Sequence, residues 1–532
     1  MARYNIRRYR PRPAPVVDSR QVSYTGMRDS KDPSAASSRK ASYLLNVFPV
    51  LSEYGGGLEG RPGYSQIGAT LTGRAQLIFQ FSKLNGSEYT VVISGGKFYV
   101  YNWGTNTLVE TLTAAQLAGA AISLHASAKV SAVIFADQMV ISDGVNTPWM
   151  WDGTTGAGMT KLTNAPVAYG QPTVYYAKLF FIKNAERTTI VWSEENLANT
   201  GYEAGGYNNA WTLGQTDQES LYAIFGTNSA LYYWRANSMG SITGAVTNDF
   251  RSTGTQDGIS QSIGTTSPWS VLFHNDAFFF IDAQGHPQRY VLGAGMQYPP
   301  IWHDAKETTA RLSAIKFSNI RALYRPAEDV VQIPYTPIGV DENNLSLLYG
   351  SDTGEFLAVW QYATNVAEIA LVKNGAGALV VIHGTEDAKF FVHGSHDAGT
   401  YWSDAGVKIT HTIWGAPLLW DPREEKYFSR LDTSFRLESN LTNIGFSFVT
   451  PDSTVSGLNP GTVTGGLSLW GVAIWGVSVW STGSVEVHLT IGLENRGRWG
   501  QPRLTHDTLN ERFVFIGWTV LAHPAGRDPG IN

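Results

Sequence analysis

The sequence predicts an all-β fold, a β-propeller of about six to eight blades with an extended N-terminal arm and a C-terminal β region. Composition gives the first two observations. Charged residues make up only 16% of the 532 residues, whereas aromatic residues reach 12% and there are 55 glycines. This composition suits many short strands joined by tight turns better than long amphipathic helices. The third observation is a repeat of such strands along the chain.

The repeat consists of short apolar strands separated by turns that contain Gly, Asn or Asp. In the first unit, Asn85-Gly86 and Gly95-Gly96 are typical hairpin turns. The spacing of about 45 to 60 residues is that of a propeller blade with loop insertions. A pair of β-sandwiches is the alternative fold. The seven units that follow the pattern span residues 76–112, 130–162, 173–193, 221–236, 268–291, 321–360 and 369–402.

The chain divides into three segments. We expect residues 1–66 to form the arm and a first strand, and residues 67–403 to form the blades. Residues 404–532 are either a small separate β domain or strands that return to the ring. Within them, 428–438 and 441–449 alternate apolar and polar residues, which predicts a long hairpin.

A tryptophan-rich run in the C-terminal region has a five-residue period that matches neither a helix nor a strand. Trp470, Trp475 and Trp480 form it, and glycine follows the first two. Two interpretations remain open. The indoles form an internal core of the C-terminal region, or at least one lies at a subunit or partner interface, where aromatic residues are enriched.

The first 40 residues carry a net charge of +7, so the remainder carries −12 of the total of −5. This segment is rich in proline and poor in apolar residues, which predicts an extended arm. It is either a solvated tail or an arm that docks on an acidic neighbour or on phosphate. In the docking interpretation, the contacts are made by Arg7, Arg8, Arg10 and Arg12, because a guanidinium group forms forked hydrogen bonds with carboxylate or phosphate.

Several classes of protein are excluded or disfavoured. Without cysteine there can be no disulfide, thiol nucleophile or cysteine-bound metal. The longest stretch of low charge, residues 112–136, is interrupted by polar residues and does not predict a membrane span. The N-terminus has no apolar signal segment, so we expect synthesis in the cytoplasm.

The search for catalytic or cofactor-binding signatures is negative. Phosphate-loop, dinucleotide, nucleophile-elbow and zinc-protease motifs are absent. His393 and His396, with Asp397 beside them, have a spacing that suits an ordinary turn better than a metal site. We therefore predict a non-enzymatic protein with no cofactor and no metal.

One local motif resembles the Asp-box of sialidase-type propellers. Ser395, Asp397, Gly399 and Trp402 match its Ser-x-Asp-x-Gly-x-Thr-Trp pattern, with Tyr401 in place of threonine. The Asp-box braces a hairpin, because Asp caps turn amides and Gly accepts a positive φ. The resemblance therefore supports the fold and not catalysis.

A second resemblance rests on the order of several short motifs. A Leu-Leu-Asn-x-x-Pro run ends at Pro49, and Arg61-Pro62-Gly63-Tyr64 forms an Arg-Pro-Gly-aromatic turn before the first blade. In this order the chain resembles the tail nozzle and head-to-tail (packaged-DNA) stabilisation proteins of short-tailed bacteriophages. Further matching segments are 24–33, 143–153, 191–194, 263–268, 279–285 and the tryptophan-glycine run.

This resemblance implies a structural protein of the virion tail. The family implies a propeller in a ring, commonly a hexamer, beside portal, adaptor, fibre or tail-tip proteins, through which double-stranded DNA passes transiently. It implies no catalytic residues and a scaffolding role for Gly26, Asn46, Arg61, Pro62 and Gly63. Arg61 is then either a surface charge or a buried brace bonded to backbone carbonyls. The alternative function is a tail adhesin or carbohydrate-binding propeller.

Overall fold

The chain folds as a β-propeller with a β-sandwich attached to one blade, which confirms the predicted fold class. The structure is a computed structural model that describes most of the chain. Residues that the sequence assigned to strands in the first, second and sixth repeat units form strands with nearly the same limits. The described residues are 24, 26–28, 40–50, 57–204, 207–213, 219–244, 250–313, 320–341, 343–394, 402–419, 425–437, 443–458, 485–508, 511 and 513–524.

Seven antiparallel blades surround the propeller axis in the described part of the chain. The first strand of each blade lies nearest the axis, where the first strands of most neighbouring blades touch. Blade 1 comprises Ala75–Ser82, Glu88–Ser94, Lys97–Asn102 and Thr107–Leu112, and blade 2 comprises Ser131–Phe135, Gln138–Ser142, Trp149–Trp151 and Met159–Lys161. Blade 3 comprises Ala168–Tyr175, Lys178–Lys183, Thr189–Glu194, Leu197–Gly201 and Ala210–Thr212.

Blades 4 to 7 complete the circle, so that the first strand of blade 7 contacts that of blade 1. Blade 4 comprises Leu221–Gly226, Leu231–Arg235, Met239–Thr243 and Thr255–Ser260, and blade 5 comprises Leu272–His274, Ala277–Ile281, Pro287–Val291 and Gly295–Met296. Blade 6 comprises Leu323–Arg325, Val330–Tyr335, Leu345–Gly350 and Phe356–Gln361. Blade 7 comprises Glu368–Lys373, Leu379–Gly384, Phe390–His393 and Tyr64–Ile67.

Blade 7 is closed by a strand from the N-terminal side of the ring. Tyr64–Ile67 pairs antiparallel with Phe390–His393. The sequence placed this fourth strand at 399–402 instead, but Trp402 is not in a strand and residues 399–401 lie outside the described part. The observed strand also crosses the boundary expected after residue 66. Such closure joins the two ends of the ring through backbone hydrogen bonds.

The blades pack face to face, and strand alternation explains which residues meet. In the second strand of blade 2, Met139 and Ile141 lie in the core shared with blade 1, whereas Val140 lies in the core shared with blade 3. Successive side chains of a strand point to opposite faces, so one apolar strand serves two cores. Large aromatic residues fill these cores, as Trp149 and Trp151 do between blades 1 and 2.

The C-terminal residues form a β-sandwich together with N-terminal strands. One sheet contains Tyr43–Leu45, His411–Trp414, Trp499–His506, Ile444–Val449 and Thr454–Leu458, with Leu418–Leu419 at one side. The other contains Val47–Val50, Gly57–Gly60, Phe513–Pro524, Lys426–Leu437 and Val485–Gly497. The first sheet continues blade 6, because Leu45 pairs parallel with Val359. The sandwich is therefore built from both ends of the chain and is continuous with the ring.

The long hairpin predicted in this region is not formed. Lys426–Leu437 and Ile444–Val449 lie in opposite sheets of the sandwich. Their aromatic rings meet across the core, with centroids 4.9 Å apart for Phe428 and Phe448 and 6.2 Å for Phe435 and Phe446. Alternation of apolar residues is the same in both arrangements, so the pattern alone did not separate them.

Helices are few and short in the described residues. The α-helices are Ala114–Gly119, Phe250–Thr253 and Lys306–Thr309, and the 3-10 helices are Pro268–Ser270 and Ile301–Ala305. No helix among the described residues has the length and apolar character needed to span a bilayer.

Candidate functional site

Within the described residues the chain crosses between propeller and sandwich twice, and the two crossings meet in a buried polar site. The first crossing is Arg61-Pro62-Gly63, between the strands Gly57–Gly60 and Tyr64–Ile67. The second leads from blade 7 to His411–Trp414 and includes Asp404. We call Asn46, Arg61, Asp404, Tyr64, Thr364, Tyr362, His383, His393, Arg325, Glu328 and Gln332 the junction cluster.

Arg61 is the centre of the junction cluster and is fully buried. Its Nη1 and Nη2 atoms donate to the two carboxylate oxygens of Asp404, with Nη1 2.8 Å from Oδ1. Nη1 also donates to the carbonyl of Pro62, and Nη2 to that of Gln361. The guanidinium carbon lies 4.8 Å from the ring centroid of Tyr362. Of the two expectations for Arg61, the structure shows the buried brace and not the surface charge. The guanidinium is bonded to backbone carbonyls, as expected, and also to the carboxylate of Asp404.

Asn46 connects this brace to blade 6. Its Oδ1 accepts from Arg61 Nε at 2.9 Å and from the backbone N–H of Gln361 at 2.6 Å, while its Nδ2 donates to the carbonyl of Thr410. Asn46 has a φ of +57°, a conformation that asparagine tolerates better than most residues. One side chain thus ties together the N-terminal strands, blade 6 and the linker into the sandwich.

Gly63 allows the two crossings to touch. A Cβ atom at this position would lie 2.2 Å from the carbonyl oxygen of Ser403. That carbonyl accepts from the N–H of Tyr64, and the N–H of Ala405 donates to the carbonyl of Tyr64. The Arg-Pro-Gly-aromatic motif is therefore a joint in which arginine supplies the charge and glycine the close approach.

Tyr64 begins a chain of buried polar side chains that runs into blades 6 and 7. Its hydroxyl lies 2.8 Å from Thr364 Oγ1, which lies 3.0 Å from His383 Nε2. His383 Nδ1 is 2.7 Å from His393 Nε2, and Arg325 Nη1 is 3.3 Å from His393 Nδ1. Arg325 is paired in turn with Glu328, with Nη2 2.9 Å from Oε1. This series of hydrogen-bonded side chains therefore ends at a second buried ion pair, Arg325 with Glu328.

Electrostatics keep the two histidines neutral. Burial, reinforced by the charges of Arg61 and Arg325, lowers the pKa of His383 to about 3. The pKa of His393 is also well below its usual range, because of burial, His383 and the same arginines. Burial alone would lower the pKa of Arg61, but the charge and hydrogen bond of Asp404, together with Tyr362 and Tyr64, raise it. The junction therefore holds fixed arginine charges and uncharged imidazoles.

A second polar cluster lies at one end of the propeller axis, where the first strands of blades 2 and 7 begin. Glu368, whose side chain has no exposure, pairs with Arg321 and lies 3.5 Å from Lys129 Nζ. Lys129 also lies 5.3 Å from the ring centroid of Trp269, and we call these four residues the axial cluster. Burial lowers the pKa of Lys129 to about 8, opposed by Glu368 and reinforced by Arg321 and Arg74.

Contacts of the axial cluster cross the ring. Arg321, which precedes blade 6, donates from Nη2 to the carbonyl of Val130 before blade 2 at 3.3 Å. Trp269, which precedes blade 5, donates from Nε1 to Ser131 Oγ at 2.7 Å. These side chains connect blade 2 with blades 5 and 6, which are not its neighbours in the ring.

Both clusters are therefore arranged for rigidity. Their ionic groups are paired with one another, and all are buried except Arg321, whose side chain is 17% exposed. Within the described ranges, no group of three or more His, Asp or Glu side chains could hold a metal ion.

The other residues singled out from the sequence fall in two classes. Trp402 is half-buried in the linker after blade 7 and takes part in an interaction. Outside the described residues lie Arg7, Arg8, Arg10, Arg12, Ser395, Asp397, Gly399, Trp470, Trp475 and Trp480.

Sequence reasoning missed most of the junction cluster. Asp404 is 343 residues from Arg61, and no local motif marks it. His383 and His393 are ten residues apart on neighbouring strands, where pairing with the next strand and not sequence spacing brings them together. The available signals were the Arg-Pro-Gly-aromatic motif, which contains Arg61 and Tyr64, and the Leu-Leu-Asn-x-x-Pro run, which contains Asn46.

Comparisons with known proteins find only distant structural similarities. No protein-family model matches the sequence, and neither does any curated protein. Similar solved structures include BBS1N, crystallised in complex with ARL6DN, at 9% identity and a TM-score of 0.41, covering 64% of this chain and 99% of that one. The computationally designed protein Ika8 gives 12% identity and a TM-score of 0.33, covering 70% and 99%.

A third similar structure is the extracellular domain of a protein described as a hybrid two-component system of B. thetaiotaomicron. It is 10% identical, with a TM-score of 0.39 over 62% of this chain. The present chain spans only 39% of the length of that domain. At these identities and scores the similarities carry no argument about function.

Proposed function

We propose that this chain is a structural protein of the tail of a short-tailed bacteriophage, a nozzle or head-to-tail connector component of a hexameric ring around the DNA exit channel. In this role it retains packaged DNA and passes it at ejection, and it is synthesised in the host cytoplasm. Portal or adaptor proteins adjoin it on one side and fibres or the tail tip on another. The proposal does not include an enzymatic activity.

The observation that carries the proposal is the use of the Arg-Pro-Gly-aromatic motif. This motif belongs to the resemblance with the tail proteins, and in the structure its residues join propeller, N-terminal strands and sandwich. A protein that bears load between neighbours needs such a joint, since a mobile sandwich would not keep a ring in register. Buried charges whose hydrogen bonds are all made hold the propeller and the sandwich in one relative position.

Charge supports the same proposal. Residues 41–532 carry a net charge of −12, whereas residues 1–40 carry +7. A wall that guides DNA must not hold its phosphates, and an acidic wall avoids the contacts that retain them. The basic arm is then available for an acidic protein neighbour.

The test is the assembly state of the protein with and without its neighbours. Native mass measurement of the chain, alone and mixed with the portal and adaptor proteins encoded beside it, should reveal a ring of six copies. Antibody labelling should then place the chain in the tail of the virion. A chain that remains monomeric with every such neighbour and is absent from labelled virions would overturn the proposal, and the adhesin alternative would gain support if that monomer bound cell-surface glycans.

A further inference from the structure

A polar cleft opens between blades 6 and 7, on the face of the ring that carries the blade-to-blade linkers. Its volume is about 310 Å³, at the small end of the range of roughly 300–1,000 Å³ for ligand sites. One wall is Thr364 and Asn365 in the linker between the two blades. Asn344 lies at the start of a strand of blade 6, and Asp387 and Lys389 lie in a turn of blade 7.

The polar groups of the cleft are held in place by the protein. Asn365 Oδ1 accepts from the N–H of Glu386 at 2.8 Å, and Lys389 Nζ lies 2.6 Å from Asp387 Oδ2. The Thr364 hydroxyl is hydrogen-bonded to Tyr64 and His383, so this wall of the cleft belongs to the junction cluster. A site whose groups are already oriented loses less conformational entropy when a ligand binds.

Chemistry of the lining selects the class of ligand. Two amides and a hydroxyl dominate, and the charges of Asp387 and Lys389 cancel. Val340 and Ala363 add apolar side chains to the lining. An anion would gain one ammonium but meet one carboxylate. The amide nitrogens and Lys389 donate hydrogen bonds and the Asp387 carboxylate accepts them, which matches a ligand whose hydroxyls do both.

Asn344 provides a further observation. Its side-chain Oδ1 is buried and has no hydrogen-bond partner within the described residues. Because that oxygen is closed to a water-sized group, a ligand in the cleft would reach the amide nitrogen of Asn344, which is a hydrogen-bond donor. We propose that the cleft binds a small neutral polyol, of the size of one sugar residue. This site is additional to the tail function and would let the same protein contact a surface glycan.

The experiment is ligand-observed NMR on the full chain with the neutral methyl glycosides of glucose, galactose, mannose and N-acetylglucosamine. Inorganic phosphate and glucuronate serve as anionic probes. With few hydrogen bonds and a small buried area, we expect a dissociation constant on the order of 1 mM for at least one neutral glycoside. Asn344→Ala and Lys389→Met should each weaken that binding about fivefold, as expected for the loss of one hydrogen bond.

Lys408→Met is the matched control, because Lys408 also pairs with an aspartate, Asp507, but does not line the cleft. It should leave the dissociation constant unchanged. All three variants should fold and assemble as the wild-type chain does, which separates this test from that of the tail function. The proposal is overturned if no neutral glycoside binds at about ten times the expected constant, if phosphate or glucuronate binds more tightly, or if both cleft variants bind as the wild type does.

Discussion

The junction cluster and the axial cluster both bury ion pairs, but they balance charge in opposite ways. At the junction each arginine has its own carboxylate, since Arg61 pairs with Asp404 and Arg325 with Glu328. At the axis the single carboxylate of Glu368 serves both Lys129 and Arg321. The difference appears in the pKa values. The pKa of Arg61 is raised, because Asp404 together with Tyr362 and Tyr64 more than offsets burial, whereas burial lowers the pKa of Lys129 to about 8.

This comparison distinguishes two kinds of structural charge. A paired arginine with several hydrogen bonds fixes the geometry of its surroundings, and losing it leaves its buried partners unpaired. An excess lysine in a low-dielectric site is held there by the packing around it and is easily neutralised. We therefore expect the junction to depend on its charge and the axis to tolerate the loss of its lysine.

The largest expected effect is that of Arg61→Met. It leaves the carboxylate of Asp404 buried without its partner, so the free energy of unfolding should fall by about 3–5 kcal/mol. Chemical denaturation of the purified chain measures this. Arg430→Met is the matched control, because Arg430 pairs with Asp432 but is half exposed, and its loss should change stability by less than about 1 kcal/mol. Equal losses in the two variants would contradict the central role of Arg61.

The junction also shows how much the sequence could predict. Hairpin turns carry their signal locally: Asn85-Gly86 was expected to turn, and Gly86 has the required positive φ of +86°. The blades followed from such turns. Partners far apart in sequence left no comparable trace, so the closing strand Tyr64–Ile67 and the Arg61–Asp404 pair were not foreseen. The local pattern of turn residues and apolar residues predicts the strands. Which strands pair and which charges meet is decided by tertiary contacts between residues far apart in the sequence.

The next largest effect is expected for Gly63→Ala. The added Cβ would lie 2.2 Å from the carbonyl oxygen of Ser403, so the two crossings would have to separate. Crowding of this kind usually lowers stability by about 1–3 kcal/mol. Gly258→Ala is the control, because no atom lies within 4 Å of its Cβ position. If thermal unfolding shifts equally in both variants, backbone entropy and not the close approach explains the glycine.

Alkaline titration tests the axial cluster. The pKa of Lys129 is about 8 in the folded chain and near 10.5 when unfolded, so the folded state holds fewer protons between these values. Wild-type stability should therefore rise with pH in this window relative to Lys129→Met, by up to about 1.4 kcal/mol per pH unit. The groups facing the ammonium are Glu368, Arg321 and Arg74.

Denaturation curves of the wild type and of Lys129→Met between pH 7 and 10 give the measurement. The variant should be close to the wild type in stability at pH 7, since it removes an unfavourable buried charge while leaving Arg321 on Glu368. A difference between the two proteins that does not change with pH would show that Lys129 titrates at its ordinary pKa. A difference that favours the wild type at low pH would reverse the sign of the argument.

The smallest expected effect is that of Lys408→Met, which removes an ion pair outside both clusters. Lys408 Nζ lies within hydrogen-bond distance of Asp507, but its side chain is 57% exposed. Water and salt screen such a pair, and holding two long side chains together offsets much of the attraction, so the change in unfolding free energy should be about 0–1 kcal/mol. Raising the salt concentration should reduce even this difference, because exposed charges are screened within about 10 Å at 0.1 M ionic strength. The effect of Arg61→Met should hardly respond to salt, since solvent ions do not reach a buried pair. If the two variants respond to salt alike, burial is not what sets the junction apart.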